Sequence, residues 1–136
     1  MARILAIDYG GKRTGIAVTD PMQIIATGLE TIPSHELIPF LQKYFAVEQV
    51  ELILIGMPLS LDGTDTDGTA GAKNAIARIQ KAFPTMQIKE VDERYTSKMA
   101  KQAMLDMGMK KKDRQVKANV DVIAATIMLQ EYMGFN

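Results

Sequence analysis

The feature that most constrains the fold is an uninterrupted apolar run near the middle of the chain. Within residues 51–57, the four residues Leu52, Ile53, Leu54 and Ile55 follow one another. A strand without polar alternation is typical of the centre of a parallel sheet, because other elements cover both of its faces. The run therefore predicts an α/β fold with this strand at its centre.

The segments around this run predict a mixed five-stranded sheet flanked by helices. Strands are predicted at 4–7, 14–19, 23–32, 51–57 and 86–91, and helices after Ser34, at 69–83, 97–107 and 119–133. The first three strands have connections too short for a crossover, so they should pair antiparallel. Helices lead to the last two strands, which should lie parallel to the first. Ser34 is a candidate N-cap.

Length and composition predict one soluble domain, residues 1–136. The 136 residues are 47% hydrophobic and 24% charged, which is enough to bury an ordinary core. The chain has no cysteine, so disulfides, thiol catalysis and zinc–thiolate sites are excluded. No signal peptide or membrane-spanning segment is recognisable. We therefore expect a cytoplasmic protein with no membrane partner.

Acidic residues follow two of the predicted parallel strands and begin the last helix. Asp8 ends the first strand, Asp92 and Glu93 follow the fifth, and Asp121 lies in the predicted first turn of the last helix. Carboxyl ends of parallel strands meet at one sheet edge, where α/β folds bind ligands. Taken alone, Asp8 is explained equally well as a solvated hairpin acid. A charged loop explains Asp92 and Glu93, and a favourable helix-dipole position explains Asp121, better than a functional site does.

Taken together, these acids fit a divalent-metal site. Mg²⁺ and Mn²⁺ bind oxygen ligands, and such ions activate water and stabilise the leaving oxygen in phosphodiester cleavage. Asp121 lies among apolar residues, and a partly buried carboxylate there needs a partner such as a cation. No histidine is required, and we expect the single one, His35, to be exposed.

The net charge of zero conceals a strong asymmetry. Residues 94–117 hold eight bases and two acids, a balance of +6, whereas residues 14–93 hold five bases and eleven acids, a balance of −6. A basic segment just before Asp121 would bind a phosphate backbone, although a solvated helix and loop would have the same composition. Lys12 and Arg13 add positive charge beside Asp8.

The loop that follows the central strand is rich in glycine and polar residues. Gly56 and Gly63 flank a segment that would either bind phosphate through backbone N–H groups or form a structural turn. It lacks the Gly-Lys-Ser/Thr ending of a P-loop. Nucleotide hydrolysis by that route is therefore excluded.

Four motifs in this order resemble the YqgF (RuvX-type) family of proposed pre-16S rRNA nucleases, which are related to RuvC-type Holliday junction resolvases. They are residues 8–10 with 12–18, 56–59 with 62–63, 92–94 with 96–97, and 120–121 with 124–125. The resemblance spans essentially the whole chain. It implies a ribonuclease H-like fold, a bacterial cytoplasmic setting and a role in maturing the 5′ end of 16S rRNA.

The resemblance also implies site residues. The family's acidic site matches Asp8, Glu93 and Asp121, which would be the catalytic residues and the ligands of Mg²⁺ or Mn²⁺; Asp92 matches the motif without an assigned role. RuvC-type resolvases have an acid near the end of the central strand, where this chain has Gly56 and Met57. Glu93 would replace that ligand, which argues against resolvase-like geometry and a junction substrate.

The sequence thus predicts a metal-dependent endonuclease that acts on structured RNA, namely precursor 16S rRNA, alone or in ribosomal particles. The predicted substrate contacts are Lys12, Arg13, Arg94, Lys110, Lys111, Lys112, Arg114 and Lys117. Two alternatives stay open. One is a DNA nuclease that acts on branched DNA, and the other is a non-catalytic RNA-binding factor in ribosome assembly. An actin-like ATPase is a weaker third option, because such enzymes close two domains over ATP and one short domain cannot.

Overall fold

The computed structural model describes residues 2–57, 67–92 and 117–133. The strands are β1 (Arg3–Tyr9), β2 (Arg13–Thr19), β3 (Ala26–Pro33), β4 (Val50–Met57) and β5 (Gln87–Asp92). The helices are α1 (Leu37–Val47), which a 3₁₀ turn (Ser34–Glu36) precedes, α2 (Asp67–Ala82) and α3 (Lys117–Met133). The helix predicted at 97–107 lies outside the described residues.

The strands form one sheet in the order β3-β2-β1-β4-β5. β1 pairs antiparallel with β2 and β2 antiparallel with β3. β4 lies parallel to both β1 and β5, with Ile7 opposite Ile55 and Met57 opposite Asp92. The predicted mixed five-stranded sheet is confirmed, and the carboxyl ends of β1, β4 and β5 share one edge.

Both faces of β4 are covered, as its unbroken apolar sequence predicted. Ile53 and Ile55 belong to the larger core, to which α1 and α2 contribute. Leu54 belongs to a smaller cluster on the other face, together with Ala125 and Leu129 of α3. Two apolar clusters therefore place α1 and α2 on one side of the sheet and α3 on the other.

The third strand begins later than the sequence predicted, at Ala26 instead of residue 23. Gln23 has a φ of 60°, which is left-handed and not extended backbone. The carboxylate of Asp20 accepts hydrogen bonds from the backbone N–H groups of Ile24 at 2.6 Å and Ile25 at 2.7 Å. This local bonding keeps residues 20–25 in a turn, because the side chain supplies acceptors that a sheet partner would otherwise provide.

The prediction that Ser34 caps a helix is wrong. Pro33 and Ser34 lead into the 3₁₀ turn, and α1 starts three residues after Ser34 without a side-chain capping bond. The Ser34 side chain is buried and bonds elsewhere, to Thr14 and to the carbonyl oxygen of Gly10.

No described helix is long and apolar enough to span a membrane.

Candidate functional site

Asp8 lies at the carboxyl edge of the three parallel strands. It is the penultimate residue of β1 and pairs with Gly15 of β2. The preceding residue, Ile7, is the last residue of β1 that is paired with β4. Asp8 is half-buried and lies at the edge of the sheet where α/β folds bind ligands.

The alternation of side chains along β1 determines on which face of the sheet Asp8 lies. Leu5 and Ile7 belong to the core on the α1 and α2 side. Ile4 and Ala6 belong to the cluster that contains Ala125 of α3. Since alternate residues of a strand share a face, Asp8 lies on the same face as Ala6, beneath α3.

Asp121 lies in the N-terminal half of α3, before the buried residues of that helix. Ala124, Ala125, Met128 and Leu129 are buried, and Asp121 precedes Ala125 by four residues, about one turn. The helix begins at Lys117 and not at residue 119, so the prediction that Asp121 lies in its first turn is wrong. The helix-dipole explanation is weakened, because that effect falls off within the first turn.

A close backbone approach positions the start of α3 on the sheet. A Cβ atom at Gly28 of β3 would lie 2.5 Å from Cγ1 of Val122 and 3.2 Å from Oγ1 of Thr126. At the far end of α3, the Lys89 ammonium of β5 lies 4.9 Å from the centroid of the Tyr132 ring. The helix therefore crosses the sheet obliquely from β3 to β5, and Gly28 permits the close contact next to Asp121.

The remaining predicted site residues lie at the boundary of the described chain or beyond it. Asp92 is the last residue of β5, opposite Met57, and Lys117 is the first residue of α3. Outside the described residues lie Glu93, Arg94, Lys110, Lys111, Lys112 and Arg114, and also the loop from 58 to 66. Among the residues that the structure describes, no three His, Cys, Asp or Glu side chains are grouped to hold a metal ion.

The end of β4 has no carboxylate at this edge. Its last residues are Gly56 and Met57, and Glu51 at the opposite end is the single acid of the strand. At this edge the described parallel strands supply Asp8 of β1 and Asp92, the last residue of β5. Oxygen ligands of this kind suit Mg²⁺ or Mn²⁺, so the residue types fit such an ion.

Lys12 lies in the turn that joins β1 to β2, Arg13 is the first residue of β2, and Ser34 forms hydrogen bonds to this turn. The Ser34 backbone N–H donates to the Lys12 carbonyl oxygen at 2.9 Å, and its hydroxyl donates to the Gly10 carbonyl oxygen. A Cβ atom at Gly10 would lie 2.5 Å from the Arg13 carbonyl oxygen. The turn is therefore closely packed, and exposed Lys12 and half-buried Arg13 follow Asp8 by four and five residues.

Sequence reasoning missed Tyr9 and Arg78. The Arg78 guanidinium donates a hydrogen bond to the Tyr9 hydroxyl oxygen at 3.3 Å, across 69 residues of sequence. The position of Tyr9 directly after Asp8 could have indicated that Tyr9 lies near the site, whereas nothing in the sequence pattern indicated Arg78.

His35 is exposed, as expected.

Comparison with known proteins gives close relatives over nearly the whole chain. A protein of Flavobacterium johnsoniae named "Putative pre-16S rRNA nuclease" is 56% identical over 134 residues, which cover 98% of this chain and 97% of that protein. A protein of Phocaeicola vulgatus with the same name is 51% identical over 133 residues, which cover 98% and 96% of the two chains.

Among solved structures, RuvC of T. thermophilus in complex with Holliday junction substrate matches with a TM-score of 0.54 at 15% identity. The match covers 99% of this chain and 98% of that one. This likeness, together with the strand order, confirms the predicted ribonuclease H-like fold. The family model RuvX, described as Holliday junction resolvase, matches residues 2–134, and the chain therefore belongs to the RuvX family.

Proposed function

We propose that this chain is a metal-dependent endonuclease that cleaves structured RNA, and that its substrate is the 5′ region of precursor 16S rRNA. The single observation that carries the proposal is the relation of Asp8 to α3. Asp8 is at the carboxyl edge on the face that α3 covers, and the first half of that helix contains Asp121. The names of the relatives add support for the substrate.

In this proposal Asp8, Glu93 and Asp121 hold one or two Mg²⁺ or Mn²⁺ ions. Glu93 comes directly after Asp92, which ends β5 at the same edge as β1. When bound, the ions would activate water and stabilise the charge that develops on the scissile phosphate. The three carboxylates come from separate elements of the fold, so a folded chain is needed to assemble them.

Basic residues would position the RNA backbone. Lys12 lies in the β1–β2 turn and Arg13 begins β2, shortly after Asp8 in sequence. The substrate contacts further along the chain would be Arg94, Lys110, Lys111, Lys112, Arg114 and Lys117. Phosphate contacts give affinity with little sequence choice. The shape of the RNA, or a ribosomal particle that presents it, would then provide the selectivity.

The proposal has two further parts. The whole chain, residues 1–136, forms the nuclease domain, because the family match extends over residues 2–134. The protein acts in the cytoplasm, where ribosomal precursors are found in bacteria.

A second candidate function is cleavage of branched DNA. The description of the matching family and the RuvC complex favour it. The residues at the end of β4 are evidence against cleavage of branched DNA, since Gly56 and Met57 occupy the place where RuvC-type resolvases have an acid. A non-catalytic role in ribosome assembly is the third reading, in which the protein binds RNA without cleaving it.

The experiment is an incubation of purified protein with a precursor 16S rRNA transcript, with Mn²⁺ and with EDTA. We expect the wild type to cleave only with metal, and Asp8→Asn, Glu93→Gln and Asp121→Asn to bind RNA without cleaving it. Glu131→Gln is the matched control, because Glu131 is an exposed acid of α3 at the end remote from Asp121. Cleavage that persists in Asp8→Asn would overturn the assignment.

Two other outcomes select the alternatives. Cleavage of a four-way DNA junction by a wild-type protein that leaves RNA intact would establish the DNA nuclease. Tight binding of the transcript without cleavage of either substrate, unchanged in Asp8→Asn, would establish the RNA-binding factor.

A further inference from the structure

Tyr9 lies beside Asp8 in sequence but on the other face of the sheet. It is the last residue of β1, and its half-buried ring packs against the larger core. Alternation along the strand thus places Asp8 and Tyr9 on opposite sides of the same edge. The two side chains therefore leave the sheet edge in opposite directions.

The Tyr9 ring lies against α2 at Gly71, a residue without a side chain. A Cβ atom at Gly71 would lie 3.3 Å from Cε1 of Tyr9, which is a tight contact. Arg78 follows Gly71 by seven residues, about two helical turns, so both lie on the same side of α2. The ring therefore runs along this side, and its hydroxyl accepts a bond from the Arg78 guanidinium at 3.3 Å.

This hydrogen bond orients Arg78 more than it stabilises the fold. The pair is exposed, and exposed polar contacts contribute little to the free energy of unfolding. A guanidinium has five N–H donors, and the bond to Tyr9 occupies one of them. A planar donor group held beside the last residue of β1 suits a phosphate, which guanidinium groups bind with two parallel bonds.

Charge along α2 supports an anionic ligand. The helix has three bases, Lys73, Arg78 and Lys81, and one acid, Asp67, a balance of +2. The three bases are all exposed, and they lie within the otherwise acidic region from 14 to 93, whose balance is −6. Positive charge is thus concentrated on the helix that Tyr9 contacts.

We propose that Tyr9 and Arg78 form a second backbone contact for the RNA, on the α2 side of the sheet edge. Arg78 binds a backbone phosphate away from the cleaved one, and Tyr9 is the positioning residue that holds the guanidinium. The inference rests on the proposed function, because it assigns a further contact to the same RNA. It explains how one strand is held on both sides of the edge at which Asp8 lies.

The test measures RNA binding in EDTA, where cleavage does not contribute, over a range of salt concentrations. We expect Arg78→Ala to weaken binding about tenfold, as for the loss of a charge-assisted bond, and to reduce the slope of log K against log salt by about one. Arg78→Lys should keep the slope and lose part of the affinity, because the charge remains without the planar geometry. Tyr9→Phe should keep the slope and weaken binding about threefold, an order-of-magnitude expectation for losing orientation alone.

Lys43→Ala is the charge-matched control, since Lys43 is an exposed base of α1, outside the helix that Tyr9 contacts. Equal losses of affinity and slope in Arg78→Ala and Lys43→Ala, or no loss in Arg78→Ala, would overturn the inference. Cleavage of the transcript by the wild type is measured separately. A failure of the proposed nuclease function is thereby distinguished from a failure of this contact.

Discussion

The hydroxyl oxygens of Thr14 and Ser34 lie 2.8 Å apart in the interior, beneath the turn that holds Lys12. The Ser34 hydroxyl also bonds the carbonyl oxygen of Gly10. Because a carbonyl only accepts, Ser34 donates its single proton there, and Thr14 must therefore donate to Ser34. This chain of bonds joins the β1–β2 turn to the 3₁₀ turn that precedes α1.

Loss of the Ser34 hydroxyl should destabilise the protein more than loss of the Thr14 hydroxyl. Ser34→Ala leaves a buried donor and a carbonyl acceptor without their partner, so we expect the free energy of unfolding to fall by about 2 kcal/mol. Thr14→Val keeps the shape and removes one bond, at about 1 kcal/mol. Urea unfolding followed by circular dichroism measures both, with exposed Thr27→Val as the control. If Ser34→Ala were as stable as the wild type, the proposed hydrogen-bond arrangement would be refuted.

Filling the space at Gly28 should displace α3. The new Cβ of Gly28→Ala would lie 2.5 Å from Cγ1 of Val122, and overpacking of this kind costs about 1–3 kcal/mol. Cleavage should fall as well, because Asp121 precedes Val122 directly. Gly11→Ala is the control for stability, since nothing lies within 4 Å of its added Cβ.

The double variant Gly28→Ala with Val122→Ala tests the cause, since it removes the atom that the new Cβ would meet. We expect it to recover cleavage relative to Gly28→Ala alone. If Gly28→Ala retains full stability and activity, the close approach is not what positions α3.

The β2–β3 turn should respond to pH through Asp20. The pKa of this carboxyl is held below its ordinary value of 3.8, first of all by the backbone N–H of Ile25, with further bonds from Ile24 and Met22. A lowered pKa in the folded state means that the stabilisation is complete above pH 3.8 and is lost as the pH falls through the folded-state value. The stability difference between wild type and Asp20→Ala should therefore shrink below pH 3.8.

Nuclear magnetic resonance provides the direct measurement of that pKa. The amide shifts of Ile24 and Ile25 should titrate together with the Asp20 carboxyl, because both amides donate to it at 2.6 and 2.7 Å. A midpoint at or above 3.8 would contradict the prediction.

Patterns that are local in sequence predicted the sheet and the place of Asp8. The run from Leu52 to Ile55 predicted a strand covered on both faces, which the two clusters around it confirm. Short connections predicted the antiparallel strands. The position of Asp8 at the carboxyl edge follows from that topology, because the end of a parallel strand defines the edge.

Those patterns could not predict interactions between residues that are distant in sequence. Ser34 has the residue type and the location of a helix cap, and only its burial against Thr14 explains why it bonds elsewhere. Arg78 and Tyr9 are 69 residues apart, so no periodicity relates them. Asp20 determined where β3 begins through side-chain bonds, which the β-rich composition of 23–32 could not indicate.

The basic run from Lys110 to Lys117 should dominate the salt dependence of RNA binding. Replacing Lys110, Lys111 and Lys112 with Gln removes three positive charges. If each neutralises one phosphate, the slope of log K against log salt should fall by about two to three. Binding to precursor and mature 16S rRNA should weaken by the same factor, because backbone contacts convey little sequence information.

The control for this prediction is Lys43→Gln, since Lys43 is an exposed base of α1, outside the proposed contacts. Filter binding or fluorescence anisotropy in EDTA, from low to physiological salt, gives the slopes. A triple variant with the wild-type slope would show that the run is a solvated surface. A loss confined to the precursor RNA would instead assign the run to recognition of the 5′ extension, because general phosphate contacts weaken binding to both RNAs alike.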